Sequence, residues 1–586
     1  MKLVFDIETN GLDPSLVHCI CVYNVDTQEA RSFRPNEIKE GLKMLSEADE
    51  LIGHNIMGYD LPVLKKLHNF VYTGRIYDTL VVTRLIYSDI KDRDFKQWRL
   101  GAFSPKLIGS HSLKAWGYRL GEHKGDFGET TDWSEFSEEM LKYCEQDVLV
   151  NAKLVDRLAA VEYSAEAIEL EHEIHRICLE QEWFGFPFDT DKAVKLYATL
   201  SQRASDIREQ LSERFKGWWE NKGEFVPKRT AGEYFGGCPL TKVKWTEFNP
   251  NSREHIAKKL MELGWEPSEF TETQQPKIDE TILKGMSIPE AALLREYLMI
   301  NKRIGQLAEG KQAWLKLEKD GYIHGRVNTM GTVTSRCTHS NPNTAQIPSV
   351  RAPYGKECRE LFYAPKGYTL LGMDMSGLEL RCLAHFTAIW DNGSYAKEIL
   401  SGDIHTANQK AAGLATRDQA KTFIYGFLYG SGDAKVGEII GKGVKEGAAI
   451  KAKFLKRLPA IKNLRDAVAK KVKENGYLLG IDGRKFPVRS EHAAVNVLLQ
   501  GTGAILCKRW VVEWHKLLTE AGYKHGDEFI QAAFVHDEVQ MLVKDEYVED
   551  FAEIGIKAIK RTGQHYKFRI ELDGEFNTGR NWAETH

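Results

Sequence analysis

Carboxylates set where a folded chain would bury them are the first groups to weigh for chemistry. The stretch YTLLGMDMSGLELR, residues 368–381, is an apolar run that delivers Asp374, turns through Ser376 and Gly377, and reads as a helix carrying Glu379. A desolvated carboxylate needs a partner cation, a hydrogen-bond network or a metal; the alternative role for Asp374 is to cap the helix that follows. Near the other end, DEFIQAAFVHDEVQMLV brings two apolar runs together at His536, Asp537 and Glu538, the pattern of a hairpin with an acidic tip. If both segments lie in one sheet, Asp374 and Asp537 converge and can bridge two metal ions about 4 Å apart, the arrangement of phosphoryl transfer. A second acidic pair opens the chain. KLVFDIET reads as a buried strand whose period of two sends Asp6 and Glu8 to one face. There they repel unless a divalent cation lies between them, although a lone Asp-x-Glu is on most strands a solvated face.

Cations complement these acids. As a helix, RDQAKTFIYGFLYG places Arg417, Lys421 and Tyr425 at successive i+4 steps, with Tyr429 near its end. Like charges at that spacing cost a helix a few tenths of a kcal/mol, roughly, which an anionic ligand such as a triphosphate would offset. A solvated basic face is the plainer reading of Arg417 and Lys421, but it leaves Tyr425 on the same stripe unexplained. Thr334, Arg336, Arg351 and Arg359 fall among turn residues just ahead of the Asp374 strand, a setting suited to bidentate contacts with phosphate or a base edge. NVLLQGTGAILCKRW reads as a buried helix presenting Asn496 and Gln500, and GDIHTANQ carries His405.

Holding these groups takes several domains. A chain of 586 residues should fold into roughly three to five by the usual length prior. Its 42% hydrophobic and 28% charged residues are ordinary for a soluble protein. The net charge of -3 conceals 80 basic side chains, so a nucleic-acid surface must be a local groove and not a uniformly basic exterior. Nine scattered cysteines, with no Cys-x-x-Cys pair and no cluster at zinc spacing, point to reduced thiols in the cytosol. The start MKLVFDIETN is no signal peptide, and no apolar run approaches a membrane span. A soluble, cytoplasmic protein with no membrane association is expected.

The elements follow in order. GHNIMGYD carries Asn55, Tyr59 and Asp60, and SEEMLKYCEQDVLVNAKLV is a helical pattern with Tyr143 and Asp147 one turn apart on one face. AEAIELEHEIHRICLEQEWFGFPFD reads as an amphipathic helix ended by Gly-Phe-Pro, and a second long helix runs to about Phe215. Residues 216–248 read as an irregular aromatic and basic stretch. Later helices bear Lys302 and Arg303, which suit phosphate contacts or, equally, a solvated face.

Asp-x-Glu, then Asn-x-x-x-Tyr-Asp, then Tyr-x-x-x-Asp resembles the three motifs of the DEDD exonucleases in their Tyr-containing branch. The resemblance implies that Asp6, Glu8, Asp60 and Asp147 bind two divalent metals for 3′–5′ phosphodiester hydrolysis and that Tyr143 orients the attacking water. DMSGLELR, RDQAKTFIYGFLYG and VHDE resemble motifs A, B and C of the family A DNA polymerases, especially the replicative branch of T-seven-type bacteriophages, over nearly the whole chain. The implied fold is an α/β exonuclease domain (ribonuclease H-like) followed by an α+β right hand of palm, fingers and thumb. Expected boundaries are exonuclease 1–160, thumb 161–316, palm 317–386 and 496–586, and fingers 387–495. The implied activity is template-directed DNA synthesis with proofreading, on primer-template DNA and dNTPs, replicating viral DNA in the host cytoplasm. Asp374 and Asp537 would hold two Mg²⁺, with two more at the exonuclease site and Mn²⁺ as a substitute. His405, Arg417 and Lys421 would grip the triphosphate, and Tyr425 would stack beside the sugar, implying weak rejection of dideoxynucleotides. Arg336, Gln500 and His536 would read minor-groove acceptors of fresh base pairs, and Arg351 completes the DNA-binding set.

Two departures qualify the resemblance. Thr334-Ser335-Arg336 replaces the family's Thr-Gly-Arg, and Ser resists the positive φ that Gly allows. Phage relatives carry a long basic thumb insertion that captures thioredoxin; residues 216–248 are far shorter, so no tight thioredoxin binding is expected. KENGYLLGIDGRK also looks trimmed, and helicase-primase or single-stranded DNA-binding protein remain as partners of an expected monomer. Competing readings are a non-catalytic primer-template binder, disfavoured by the intact carboxylates, and a single-subunit RNA polymerase. Glu379 separates the latter, because an anion beside C2′ would exclude a ribose hydroxyl.

Overall fold

The computed structural model describes residues 1–101, 103–122, 132–401 and 404–586. Gly402 and Asp403 of the His405 segment therefore lie outside the described residues. The chain forms two compact units: Met1–Phe186 with His324–Gln346 and Ala364–His586, and Pro187–Ile323 with Ile347–Tyr363.

The first unit opens with a five-stranded sheet of order β3-β2-β1-β4-β5: β1 Lys2–Thr9, β2 Val17–Asn24, β3 Glu29–Phe33, β4 Glu50–Gly53 and β5 Arg75–Asp78. β1 pairs antiparallel with β2 and parallel with β4. It is central and covered on both sides, which is why Leu3, Val4, Phe5 and Ile7 form a nearly continuous apolar run. The helix Glu138–Ala159, capped by the Ser137 hydroxyl accepting from the Met140 N–H (3.1 Å), packs Leu141, Cys144 and Val148 against this sheet.

Asp78, fully buried, sets the neighbouring loop. Its carboxylate accepts from the N–H groups of Asn55 (2.9 Å), Met57 (3.1 Å) and Leu80 (3.0 Å), which caps the helix Thr79–Ile86 and fixes the turn where Asn55 takes φ 68°. Gly53 is required there, since a Cβ would lie 2.1 Å from Ile56 Cγ2. The turn delivers Asp60 to the first residue of the helix Asp60–His68.

A second sheet in this unit is four-stranded and antiparallel. Its central strand Tyr368–Met375 lies between Glu538–Lys544 and Gly574–Gly579, and Phe529–Val535 forms the far edge. The helices Ala494–Glu520 and Val548–His565 pack together and share a core with this sheet, in which Trp510 stacks on Trp514 (centroids 5.6 Å apart). The helix Ala165–Phe184 is less simply amphipathic than its sequence suggests, because Glu171, His175 and Gln181 are buried. Glu171 accepts from Arg484 Nη1 and Lys508 Nζ, both at 2.6 Å; Arg484 also donates to Asp482 (2.8 Å), and Lys508 to the Thr329 carbonyl (2.7 Å). Arg484 and Asp482 sit on the short hairpin Tyr477–Leu479/Lys485–Pro487, within the stretch that reads as merely trimmed in the sequence.

In the second unit the long helices Thr190–Arg214 and Pro289–Ile304 pack as a pair, bridged by Arg203–Glu296 (2.7 Å) and Arg214–Glu290 (2.9 Å). The stretch expected to be irregular is in fact an antiparallel hairpin, Trp218–Phe225 with Leu240–Thr246, in which cross-strand Trp219 and Trp245 pack edge to face at 5.2 Å. Two arginines considered for phosphate contacts are internal instead. Arg303 is buried and donates to Gln306 (3.0 Å) and the Pro353 carbonyl (3.4 Å), and Arg359 is buried and donates to the Pro348 carbonyl (3.0 Å). No helix among the described residues is long and apolar enough to cross a membrane.

Ser335 does adopt the left-handed conformation (φ 60°), buried, in a turn closed by the Ser335 N–H to the Thr332 carbonyl (3.0 Å). Ser335→Gly is expected to raise unfolding free energy by roughly 0.5–1 kcal/mol in urea titrations, through relief of that strain. Lys508→Met is expected to lower it by about 3–5 kcal/mol, because Glu171 then keeps only part of its compensation inside the core.

Candidate active sites

The cap of the helix Leu378–Asp391 is Gly377, at φ 57°, with no side-chain cap bond, so Asp374 is released from the capping role considered above. Asp374 stands at the end of its strand, in register with Glu538 on one side and Glu575 on the other. Asp537 lies in the two-residue turn beside Glu538, where His536 takes φ 59°. The Asp374 side chain is exposed at the strand end, yet partial desolvation, with Asp537, Glu575 and Glu538 adding to it, pushes its carboxyl up to about 6, against the opposing effect of His586. Asp537 is raised in the same direction, by burial first. Such crowding is what a divalent cation relieves, and the donor set, all carboxylate oxygens, suits a hard ion.

A cleft beside these groups is lined by Arg336, Glu379, Gln500, His536 and Asp537. Glu379 is held from two directions: the Tyr429 hydroxyl donates to it (2.6 and 2.7 Å to the two oxygens) and Arg336 Nη2 pairs with it at 3.1 Å. Burial and the Glu379 carboxylate push the Tyr429 phenol up, so it remains a donor. This triad is not apparent in the sequence, where the three residues stand far apart; the only signal is that Tyr429 ends the stripe of Arg417, Lys421 and Tyr425.

That stripe is a helix, Arg417–Leu428, started by a capping box between Thr416 and Gln419. Arg417 and Lys421 are exposed and Tyr425 is half-buried. The Tyr425 ring centroid lies 6.3 Å from that of His405, on the helix Ile404–Ala412. Burial raises the Tyr425 phenol, and the carboxylates of Glu379 and Asp537 add to the shift. Arg351 is exposed and belongs to the other unit.

At the N-terminal sheet, Asp60 is buried and accepts from the Ile7 N–H (3.3 Å), between Asp6 and Glu8 on β1. Burial pushes its carboxyl up to about 7, Asp78 adds to the shift, and the N–H groups of Asp60 and Ile7 oppose it. Tyr59 anchors the same loop, sharing a hydrogen bond with the Thr9 hydroxyl (2.6 Å) and donating to the Gly11 carbonyl (2.7 Å). Tyr143 and Asp147 lie on one helix, Asp147 buried and Tyr143 half-buried, with the Tyr143 ring packed edge-on to Trp133 at 6.2 Å. Asp6, Glu8 and Cys144 bring ligand atoms within 4.8 Å of one another. Two half-buried carboxylates beside a raised third again fit a divalent cation. Cys144 has no counterpart in the sequence reading.

Comparison with known proteins gives the family of the chain. The model of DNA polymerase family A matches residues 240–584, and that of the RNase H superfamily matches residues 3–159. The DNA-directed DNA polymerases of Enterobacteria phage T3 and Escherichia phage T7 are each 40% identical over 703 aligned positions, covering 100% of this chain and 100% of the relative. That alignment exceeds the 586 residues here, so the relatives carry segments this chain lacks. In fold, the chain is similar to the polymerase domain of a Pol1 enzyme from M. smegmatis in complex with DNA primer-template and dNTP: TM-score 0.75, 16% identity, 99% of this chain and 95% of that one. Family A polymerases and RNase H-like nucleases generally depend on divalent metals. The chain belongs to DNA polymerase family A, with an N-terminal domain of the RNase H superfamily.

Proposed function

We propose that this DNA-directed DNA polymerase extends a primer at Asp374 and Asp537 and removes mismatched 3′ ends at Asp6, Glu8, Asp60, Asp147 and Tyr143. The observation that carries the first half is the crowding of carboxylates around Asp374, which stands in register with Glu538 and Glu575 and has its carboxyl raised to about 6. Asp374 and Asp537 would hold two Mg²⁺, and Asp6, Glu8, Asp60 and Asp147 two more, with Mn²⁺ as a substitute. When bound, these ions acidify the primer hydroxyl or a water and neutralise charge on the leaving oxygen.

The protein's own groups do the positioning. Arg417, Lys421 and His405 bind the triphosphate, and the half-buried ring of Tyr425 packs beside the sugar. Glu379, fixed by Tyr429 and Arg336, stands beside the sugar C2′ and excludes a 2′-hydroxyl by its bulk. Arg336, Gln500 and His536 face the minor-groove edge of the new pair, whose acceptors are common to every correct pair, and Arg351 contacts the template-primer backbone. At the other site, Tyr143 orients the attacking water. The division is exonuclease 1–160, thumb 161–316 with its first helix anchored beside the palm, palm 317–386 and 496–586, and fingers 387–495. The short hairpin at 218–246 supports a thumb without tight thioredoxin binding. Helicase-primase or single-stranded DNA-binding protein are the remaining replisome contacts of a monomer acting on viral DNA in the host cytoplasm.

Extension of a labelled primer with Mg²⁺ and dNTPs tests this. Asp374→Ala and Asp537→Ala should each lower synthesis by roughly three orders of magnitude or more while leaving 3′ degradation, and Asp6→Ala with Glu8→Ala should do the reverse. Undiminished synthesis in either palm variant would sink the assignment. Glu379→Ala should reduce the preference for dNTPs over rNTPs by about ten- to a hundred-fold, and Tyr429→Phe by less, read as the ratio of kcat/KM values. An unchanged ratio in Glu379→Ala would place the sugar gate elsewhere.

A further inference from the structure

Cysteines that the sequence scatters meet in space beside the exonuclease carboxylates. Cys19 and Cys21 stand two residues apart on β2 and so share a face. In the antiparallel register Glu8 is opposite Cys19 and Asp6 opposite Cys21, which puts two carboxylates and two thiols on the same face of adjacent strands. The helix Glu138–Ala159 packs on that face and adds Cys144. The three sulfurs lie within 4.8 Å of one another, and each residue is at most 1% exposed. Cys144 also belongs to the group with Asp6 and Glu8, its sulfur 3.8 Å from Asp6 Oδ2.

We propose that Cys19, Cys21 and Cys144 form a binding site for a thiophilic divalent ion of the zinc and cadmium class, toward which Asp6, in ligand range of Cys144 alone among the three thiols, is drawn as the fourth ligand. Zinc–sulfur bonds of about 2.3 Å in a tetrahedron require sulfurs roughly 3.8 Å apart, so the trio needs to close by no more than about 1 Å. The 3.8 Å between the Cys144 sulfur and Asp6 Oδ2 is about 0.3 Å longer than the tetrahedral sulfur–oxygen edge for such bonds. Three thiols select soft ions against Mg²⁺ and Mn²⁺. The half-buried Asp6 and Glu8 provide the entry path from the cleft side, the other walls being the apolar Val4, Ile52, Leu141 and Val148. Sharing Asp6 has a consequence that rests on the exonuclease reading above: an ion held by the thiols draws this carboxylate out of the hydrolytic site. Thiophilic ions at low concentration then suppress 3′ degradation and spare synthesis at Asp374 and Asp537, which lie on a different sheet.

The test uses the full chain carrying Cys238→Ser, which removes the exposed thiol. X-ray absorption of the zinc-loaded protein should give a shell of three sulfurs and one oxygen, and cadmium chloride should raise a thiolate charge-transfer band that saturates at one equivalent. A shell of one sulfur or none overturns the site without recourse to any further variant. In Cys21→Ala the sulfur count should fall to two and cadmium affinity by at least ten-fold; an unchanged band overturns the assignment to these residues. With excess Mg²⁺ present, one equivalent of cadmium should reduce degradation of a labelled 3′ end at least ten-fold with primer extension unchanged, whereas undiminished degradation at full cadmium occupancy overturns the sharing of Asp6. Failure of the exonuclease reading itself would appear separately, as unaltered degradation by the metal-free-of-thiophile Asp6→Ala, Glu8→Ala variant, whatever the sulfur shell.

Discussion

The buried ion cluster of Glu171, Arg484, Lys508 and Asp482 sets the frame on which the palm is assembled. Two acids and two bases balance, and they come from three elements: the helix Ala165–Phe184, the hairpin Tyr477–Leu479/Lys485–Pro487 and the helix Ala494–Glu520. Burial works against the ionised Glu171, yet Lys508 and Arg484 hold its carboxyl below the usual range. Burial likewise opposes Arg484, and Asp482 and Glu171 more than offset it, raising the guanidinium. An interior charge is tolerated only with its partners in place, so the cluster forms in one geometry or not at all. Lys508 shares its helix with Gln500, and its bond to the Thr329 carbonyl ties that helix to the segment leading to Arg336. The same four charges thereby fix both sides of the cleft in which Glu379 and Asp537 are found.

Electrostatic compensation at the palm tip is uneven, and the unevenness selects which acids are left for chemistry. Glu538 is supplied with donors by Trp582 Nε1 (2.7 Å) and Gln540 Nε2 (2.7 Å) and pairs with His586 (2.8 Å). Glu379 is likewise supplied by Tyr429 and Arg336. Asp374 and Asp537 carry the raised carboxyls. An acid with its donors in place is already compensated; one whose charge is unfavourable in the fold is the one a cation would stabilise.

Legibility in the sequence followed interaction range. Short apolar runs such as KLVFDIET and the two around His536-Asp537 declared their strands, because both faces of each are covered and nearly every residue is buried. Stripes within a helix, such as Arg417, Lys421 and Tyr425, were legible for an equally local reason. What depends on register between distant strands was not: the Cys19, Cys21 and Cys144 trio follows from the pairing of β1 with β2 and from the phase of a helix more than a hundred residues on. Buried ion pairs were equally hidden, since Glu171 looks like one more charge on an amphipathic helix, and Arg303 and Arg359 look like surface cations until their carbonyl partners are placed. Residues 218–246 defeated the reading differently. Both faces of that hairpin are largely exposed, so no apolar alternation marks its strands, and cross-strand aromatic pairing at Trp219 and Trp245 holds it instead.

The two chemical sites rest on one construction with different tolerances. In each, a central strand ends in carboxylates, and a neighbouring element supplies the rest at a phase it cannot alter. At the palm the neighbour is a strand, and the antiparallel register that sets Asp374 against Glu538 leaves no freedom to shift Asp537 without moving the sheet by a residue and turning its core face outward. At the exonuclease sheet the neighbour is a helix, where Asp147 and the residue three positions before it share the inward stripe. Position 144 therefore faces β1 and β2 whatever residue occupies it, and Cys there converts an ordinary packing position into a donor beside Asp6. The constraint that fixes the phase of Asp147 on this helix is the one that sets the Cys144 thiol beside the carboxylate of Asp6.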